Sequence, residues 1–130
     1  MHDDSEMRDF AERYAKAWCS GDPDAVAAYY VPRGTISVNG GEPTEIAEVA
    51  RSFKTAFPDM QVFMDDLRVD GDAVEFHWTF TGTNTGPDGT GKSVRISGFE
   101  TWTMDDSGLV ASSRGTFDEA EYARQLAEGV

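Results

Sequence analysis

The 130-residue chain is 39% hydrophobic and sets 24 Asp and Glu against 11 Lys and Arg, a formal net charge of -13 with a pI near 4.3. That length supports one domain with a real core and not two, and the acidic field repels phosphate backbones and anionic lipid, so neither nucleic acid nor membrane is an expected partner. A single cysteine, Cys19, excludes an intrachain disulfide, and the two histidines, His2 and His77, are too far apart in sequence context to suggest a clustered metal site, so neither metal nor cofactor is expected.

The N-terminal segment from Met1 to Arg13 alternates acids and bases without an apolar run, the pattern of neither a secretory signal nor an anchor, so a cytoplasmic location is expected. A helix of about four turns is predicted from Ser5, with Phe10, Tyr14, Ala17 and Trp18 at the spacing of one buried aromatic face. Gly21 suits its end, and Asp22-Pro23 suits the start of a short second helix carrying Val26, Tyr29 and Tyr30. Pro32-Arg33-Gly34 breaks that helix, Thr35 to Val38 reads as a short strand, and Asn39-Gly40-Gly41 is turn chemistry because these residues accept positive φ. A third helix is predicted from Thr44 to Ala56, with Ile46, Val49, Ala50, Phe53 and Phe57 on its apolar side, ending before Pro58.

From Met60 onward the pattern changes to period two. Strands are predicted over Gln61 to Val69, Ala73 to Thr83, Ser93 to Met104 and Leu109 to Phe117, joined by Asp70-Gly71-Asp72, a glycine-rich loop and Asp105-Asp106-Ser107-Gly108. In the second of these, Val74, Phe76, Trp78 and Phe80 alternate with Glu75, His77, Thr79 and Thr81, giving one buried and one polar face. A tail helix from Glu119 to Leu126 closes the chain. Helices followed by an antiparallel meander predict an α+β domain spanning residues 1–130, with helices packed on one face of a curved sheet. The loop from Gly82 to Gly91 is no phosphate cradle, because it lacks the Lys-Ser/Thr ending and does not open a helix.

The paired helices, Ala56-Phe57-Pro58-Asp59, the strand running into Gly82-Thr83-Asn84-Thr85-Gly86-Pro87, Thr90-Gly91-Lys92, Ser97-Gly98 and the terminal Arg124-Gln125-Leu126 together resemble the SnoaL-like polyketide cyclases of the nuclear-transport-factor-2-like superfamily. The resemblance covers nearly the whole chain. It implies a cone-shaped α+β barrel whose bent sheet wraps around the long helix over an apolar pocket, often with dimerisation across the sheet. It also implies where catalytic residues would fall, and there the chain departs from the family. Gly115 stands at the position of the cyclase acid/base aspartate, Trp102 at that of the assisting histidine, and Asn84 in place of the histidine of a Gly-Thr-His motif. All three changes remove titratable groups, so the resemblance does not carry the cyclase mechanism over.

If Trp102 points into the cone, alternation turns Glu100 and Gly98 inward with it. Two readings of Glu100 then stand open. A carboxylate among Tyr14, Phe53, Phe76 and Trp102 is desolvated, its pKa raised, and can act as general base next to a carbonyl. Alternatively it is structural, bonded to a tyrosine hydroxyl or an arginine, or turned to solvent by a bulge at Gly98. Asp118 is the other acidic candidate near the pocket mouth, although Asp before Glu119-Ala120-Glu121 is natural helix-capping chemistry. The expected pocket lining is Tyr14, Trp18, Tyr30, Phe53, Phe57, Phe76, Trp78, Asn84, Trp102 and Phe117. Function is accordingly expected to be a pocket for a small hydrophobic molecule in a homodimeric protein, with the alternative of an isomerase or cyclase acting on a small carbonyl or polyketide-like substrate through Glu100.

Overall fold

Helix α1 (Asp4–Cys19) buries Met7, Ala11, Tyr14, Ala15 and Trp18, a stripe at helical spacing that lays the helix against the sheet. The computed structural model describes residues 4–71 and 73–130; His2 and Asp72 lie outside the described residues. The remaining order is α2 (Pro23–Ala27), β1 (Tyr30–Val38), β2 (Thr44–Glu45), α3 (Ile46–Ala56), β3 (Gln61–Asp70), β4 (Ala73–Thr83), β5 (Ser93–Met104), β6 (Val110–Phe117) and α4 (Glu119–Glu128). The strands form one curved, unclosed sheet in the order β2-β1-β6-β5-β4-β3. This is the predicted α+β architecture: β3 to β6 form the antiparallel meander, and helices cover its concave face.

Two local expectations are corrected. Tyr30 belongs to β1 and not to the second helix, which stops at Ala27. Pro32-Arg33-Gly34 interrupts the pairing of β1 with β6 between Tyr30 and Thr35, Arg33 adopting φ 63°. Proline has no N–H for the ladder, so an irregularity there loses no hydrogen bond. Gly34 folds back on Tyr30, and a Cβ at that position would lie 2.8 Å from the Tyr30 Cβ. The breaker therefore shapes a strand that turns the tyrosine inward. The second correction is at Thr44–Glu45, expected as helix, which instead pairs with Thr35 and Ile36 as a two-residue edge strand before α3 begins. The parallel pairing of β1 with β6 is a long-range contact with no local sequence signal.

The β4–β5 ladder sets the interior. Its register pairs Val74 with Trp102, Phe76 with Glu100, Trp78 with Gly98 and Phe80 with Ile96, all on the helix-covered side. Gly98 is required by close approach: a Cβ there would meet Thr116 O at 2.3 Å, Trp78 Cζ2 at 2.8 Å and Phe117 Cβ at 3.0 Å. The outer face is polar and aromatic, with His77 stacked on Phe99 at 5.4 Å and Phe63 48% exposed. Replacing Gly98→Ala is expected to destabilise the fold by about 1–3 kcal/mol, since a backbone oxygen has to move and the indole with it. Urea denaturation measures this, and unchanged stability contradicts the packing described.

Candidate functional site

Strand alternation brings Glu100 and Trp102 to the same face of β5, two residues apart, where the long side chains meet: Trp102 Nε1 donates to Glu100 Oε1 at 2.9 Å. Three hydroxyls converge on the same oxygen. Ser113, beside Trp102 on β6, donates from Oγ at 2.8 Å; Tyr14 of α1 donates at 3.0 Å; Tyr30 of β1 donates at 3.3 Å. The two tyrosine hydroxyls also lie 2.9 Å apart, so each has a choice of acceptor. Glu100 Oε2 has only the longer contact to Tyr14, 3.3 Å. The carboxylate is thus saturated at one oxygen and underused at the other, which has lone pairs to spare.

Glu100 is 5% exposed, and Trp102 and Tyr14 are fully buried around it. Tyr14 meets Trp102 edge-on at 5.1 Å and Phe76 at 5.3 Å, and Phe76 stacks on Trp102 at 5.2 Å. Among the described residues no ion pair includes Glu100; the pairs present, such as Arg13–Asp9 and Arg124–Glu121, lie at the surface. Burial pushes the Glu100 carboxyl above its ordinary 4.5, while the bonds from Trp102, Ser113, Tyr14 and Tyr30 pull the other way. Burial, followed by the nearby Glu100 charge, pushes both tyrosines well above 10.0 and keeps their hydroxyls protonated as donors.

A cavity of about 70 Å³ opens beside this cluster, lined by Trp18, Ile36, Val38, Val49, Phe53, Met60, Val62, Trp78, Phe80, Ile96, Glu100, Gly115, Phe117 and Tyr122. Glu100 is the single ionisable carboxyl on an otherwise mostly apolar wall. Gly115 is its cross-strand partner, and the space a side chain would take there is open: the nearest atoms to a Cβ are Ile36 Cδ1 at 3.7 Å and Glu100 Cγ at 3.9 Å. For scale, an apolar cavity that admits a benzene ring measures roughly 150 Å³. A ring-sized ligand therefore needs the wall to give.

Of the expected lining residues, Trp18, Phe53, Trp78 and Phe117 are on the cavity wall. Tyr14, Tyr30, Phe57, Phe76 and Trp102 are buried behind it; the first two and Trp102 act on Glu100, and Phe57 packs on Phe80 at 5.0 Å. Asn84 is not on the wall. Its amide is committed to the loop, donating to Ala56 O at the end of α3 at 3.1 Å and accepting from Thr90 N at 2.8 Å, so it closes a helix end without titrating. Asp118 caps α4 by accepting from Glu121 N at 3.0 Å. Sequence reasoning missed Val49, which shares the α3 face with Phe53, and Tyr122, one turn before Leu126 on the tail helix. Both were legible as helical spacing. Ser113 was missed because a lone serine in a strand carries no such signal. Among the described residues no group of three His, Cys, Asp or Glu is placed to hold a metal, and no helix is long and apolar enough to cross a membrane.

The SnoaL-like domain family matches the chain over residues 11–113. Solved structures share its fold. TsrD from Streptomyces laurentii is 22% identical over 97% of this chain and 98% of that one, with a TM-score of 0.82. SalBIII, an epoxide hydrolase/cyclase-like enzyme of pyran ring formation in the polyether salinomycin, is 22% identical over 93% and 97%, with a TM-score of 0.78. A protein of ketosteroid isomerase-like fold from Catenulispora acidiphila, in complex with trimethylamine, is 14% identical over 93% and 96%, with a TM-score of 0.77. No curated protein is significantly similar to the chain in sequence.

The raised Glu100 pKa has a consequence for stability. Between 4.5 and the higher folded value, the folded chain holds one proton more than the unfolded chain, so the contribution of this group to stability falls as pH rises through that window. Glu100→Gln lacks the term. The stability of Glu100→Gln relative to the unmodified chain is therefore expected to increase as pH rises from 4.5 through the higher folded value, because all other titrations cancel in the difference. Urea unfolding of both proteins across that range reads it, and a flat or falling difference contradicts the assignment.

Proposed function

The chain belongs to the SnoaL-like domain family, and from that premise we propose that it is an acid–base enzyme of isomerase or cyclase type, acting on a small, mainly apolar carbonyl compound with Glu100 as general base. The observation that carries this reading is a buried carboxylate, unpaired with any cation among the described residues, on the wall of an apolar cavity. A structural carboxylate at such a depth is ordinarily neutralised by a cation or a metal. Among the described residues neutral donors alone hold it, mainly through one oxygen, Oε2 receiving only the longer Tyr14 contact. Tyr14, Tyr30, Trp102 and Ser113 fix the carboxyl in place through Oε1, leaving Oε2 to take a proton from the carbon next to the carbonyl and return it elsewhere. Desolvation makes the ionised form a stronger base than an exposed glutamate. The similar folds of an epoxide hydrolase/cyclase-like enzyme and a ketosteroid isomerase-like protein support the class of reaction as analogy.

The small cavity favours a second reading, in which the cone binds a small hydrophobic molecule without turnover and Glu100 only ties four elements together. Deuterium uptake from heavy water at the α-carbon of cyclohexanone, followed by proton NMR, separates the two. Exchange accelerated by the unmodified chain and reduced roughly 10²–10⁴-fold in Glu100→Gln is the expected result. Acceleration that survives in Glu100→Gln, or none in the unmodified chain, leaves the binding role.

A further inference from the structure

Trp78 lies on the cavity wall, yet its indole Nε1 is sealed from solvent and has no acceptor among the described residues. The contrast with Trp102 is informative, because that indole uses its N–H on Glu100. Buried donors without partners are rare in folded proteins, and one on a residue that lines a cavity is available to an acceptor brought by a ligand.

The indole is also fixed in place. Gly98 lets it lie close over β5, with Cζ2 2.8 Å from where a Cβ would stand, and Phe117 packs against it in an edge geometry, centroids 6.0 Å apart at 66°. Trp78 pairs with Gly98 and Phe76 with Glu100, so the Trp78 and Glu100 side chains leave neighbouring rows of the same face of the β4–β5 ladder.

We propose that the Trp78 indole N–H receives the oxygen of the ligand, which selects small apolar molecules bearing one hydrogen-bond acceptor over pure hydrocarbons. This rests on the reading of Glu100 above in that the oxygen is then the carbonyl of the reacting ketone. When Glu100 takes the α-proton, the C–H electron pair forms a carbon–carbon double bond and the carbonyl π pair moves to oxygen. The negative charge that grows there faces the fixed indole dipole, which needs no reorganisation to meet it. The proton then returns from Glu100 to carbon, so no electron donor or acceptor is required.

The test uses cyclohexanone and its isostere methylenecyclohexane, which replaces the oxygen by a CH₂ group. Both are titrated into the full chain while the indole N–H signals of Trp18, Trp78 and Trp102 are followed by proton–nitrogen NMR. The expected result is a downfield shift of the Trp78 signal with cyclohexanone alone and about tenfold tighter binding of the ketone, the worth of one hydrogen bond. Trp78→Phe should abolish that preference, read as the ratio of the two affinities in the same variant. Equal affinities, binding of neither compound, or an unmoved Trp78 signal overturns the proposal, the last of these without any substitution. Repeating the titration in Glu100→Gln separates the two claims: the Trp78 shift persists there if the indole is the donor, whether or not Glu100 moves a proton.

Discussion

A carboxylate buried with no cation beside it among the described residues is the constraint on which the rest of this structure depends. Removing such a charge from water is costly unless hydrogen bonds replace its hydration. The replacements come from four different elements: Tyr14 from α1, Tyr30 from β1, Trp102 from β5 and Ser113 from β6. Satisfying one side chain thus fixes how the long helix sits in the cone, where β1 joins β6, and which face of β5 looks inward. The irregular path of β1 around Gly34 follows from the same requirement, since it turns Tyr30 toward Glu100.

The relation to the cyclases can be stated in terms of this network. The resemblance puts the cyclase aspartate at Gly115 and the histidine at Trp102. In the structure Gly115 pairs with Glu100 across the β5–β6 ladder, and Trp102 donates to it. The inward carboxylate therefore stands one strand away from the expected place, and the glycine leaves open the space beside it. Where a histidine would exchange protons, an indole holds the carboxylate still. Of the three positions, Gly115 and Trp102 meet at the buried Glu100 carboxyl, whereas Asn84 lies apart in the loop at the end of α3.

Much of this was legible from the chain. The boundaries of β4 and β5 follow from strict alternation, and that same alternation, once Trp102 is turned inward, orients Glu100 and Gly98. The helices carry their buried stripes openly. What the chain hid was set by contacts far apart in sequence. Asn84 looked like a pocket residue because its motif resembles one, yet its amide answers to the end of α3, an environment made only when the loop folds back on Ala56. Ser113 and the parallel β1–β6 pairing lack any local signal; Ser113 donates to Glu100, and the pairing sets β1, which carries Tyr30, beside β6.

The proton-transfer role rests on the ionisation of that one side chain in the folded protein. A carbon-13 NMR titration of the Glu100 carboxyl, assigned by its absence in Glu100→Gln, measures it directly. The expected midpoint lies above the ordinary 4.5, because burial outweighs the hydrogen bonds that favour the charge. A midpoint at or below that value would mean that the donors have fully replaced water, and would reduce Glu100 to a structural anchor.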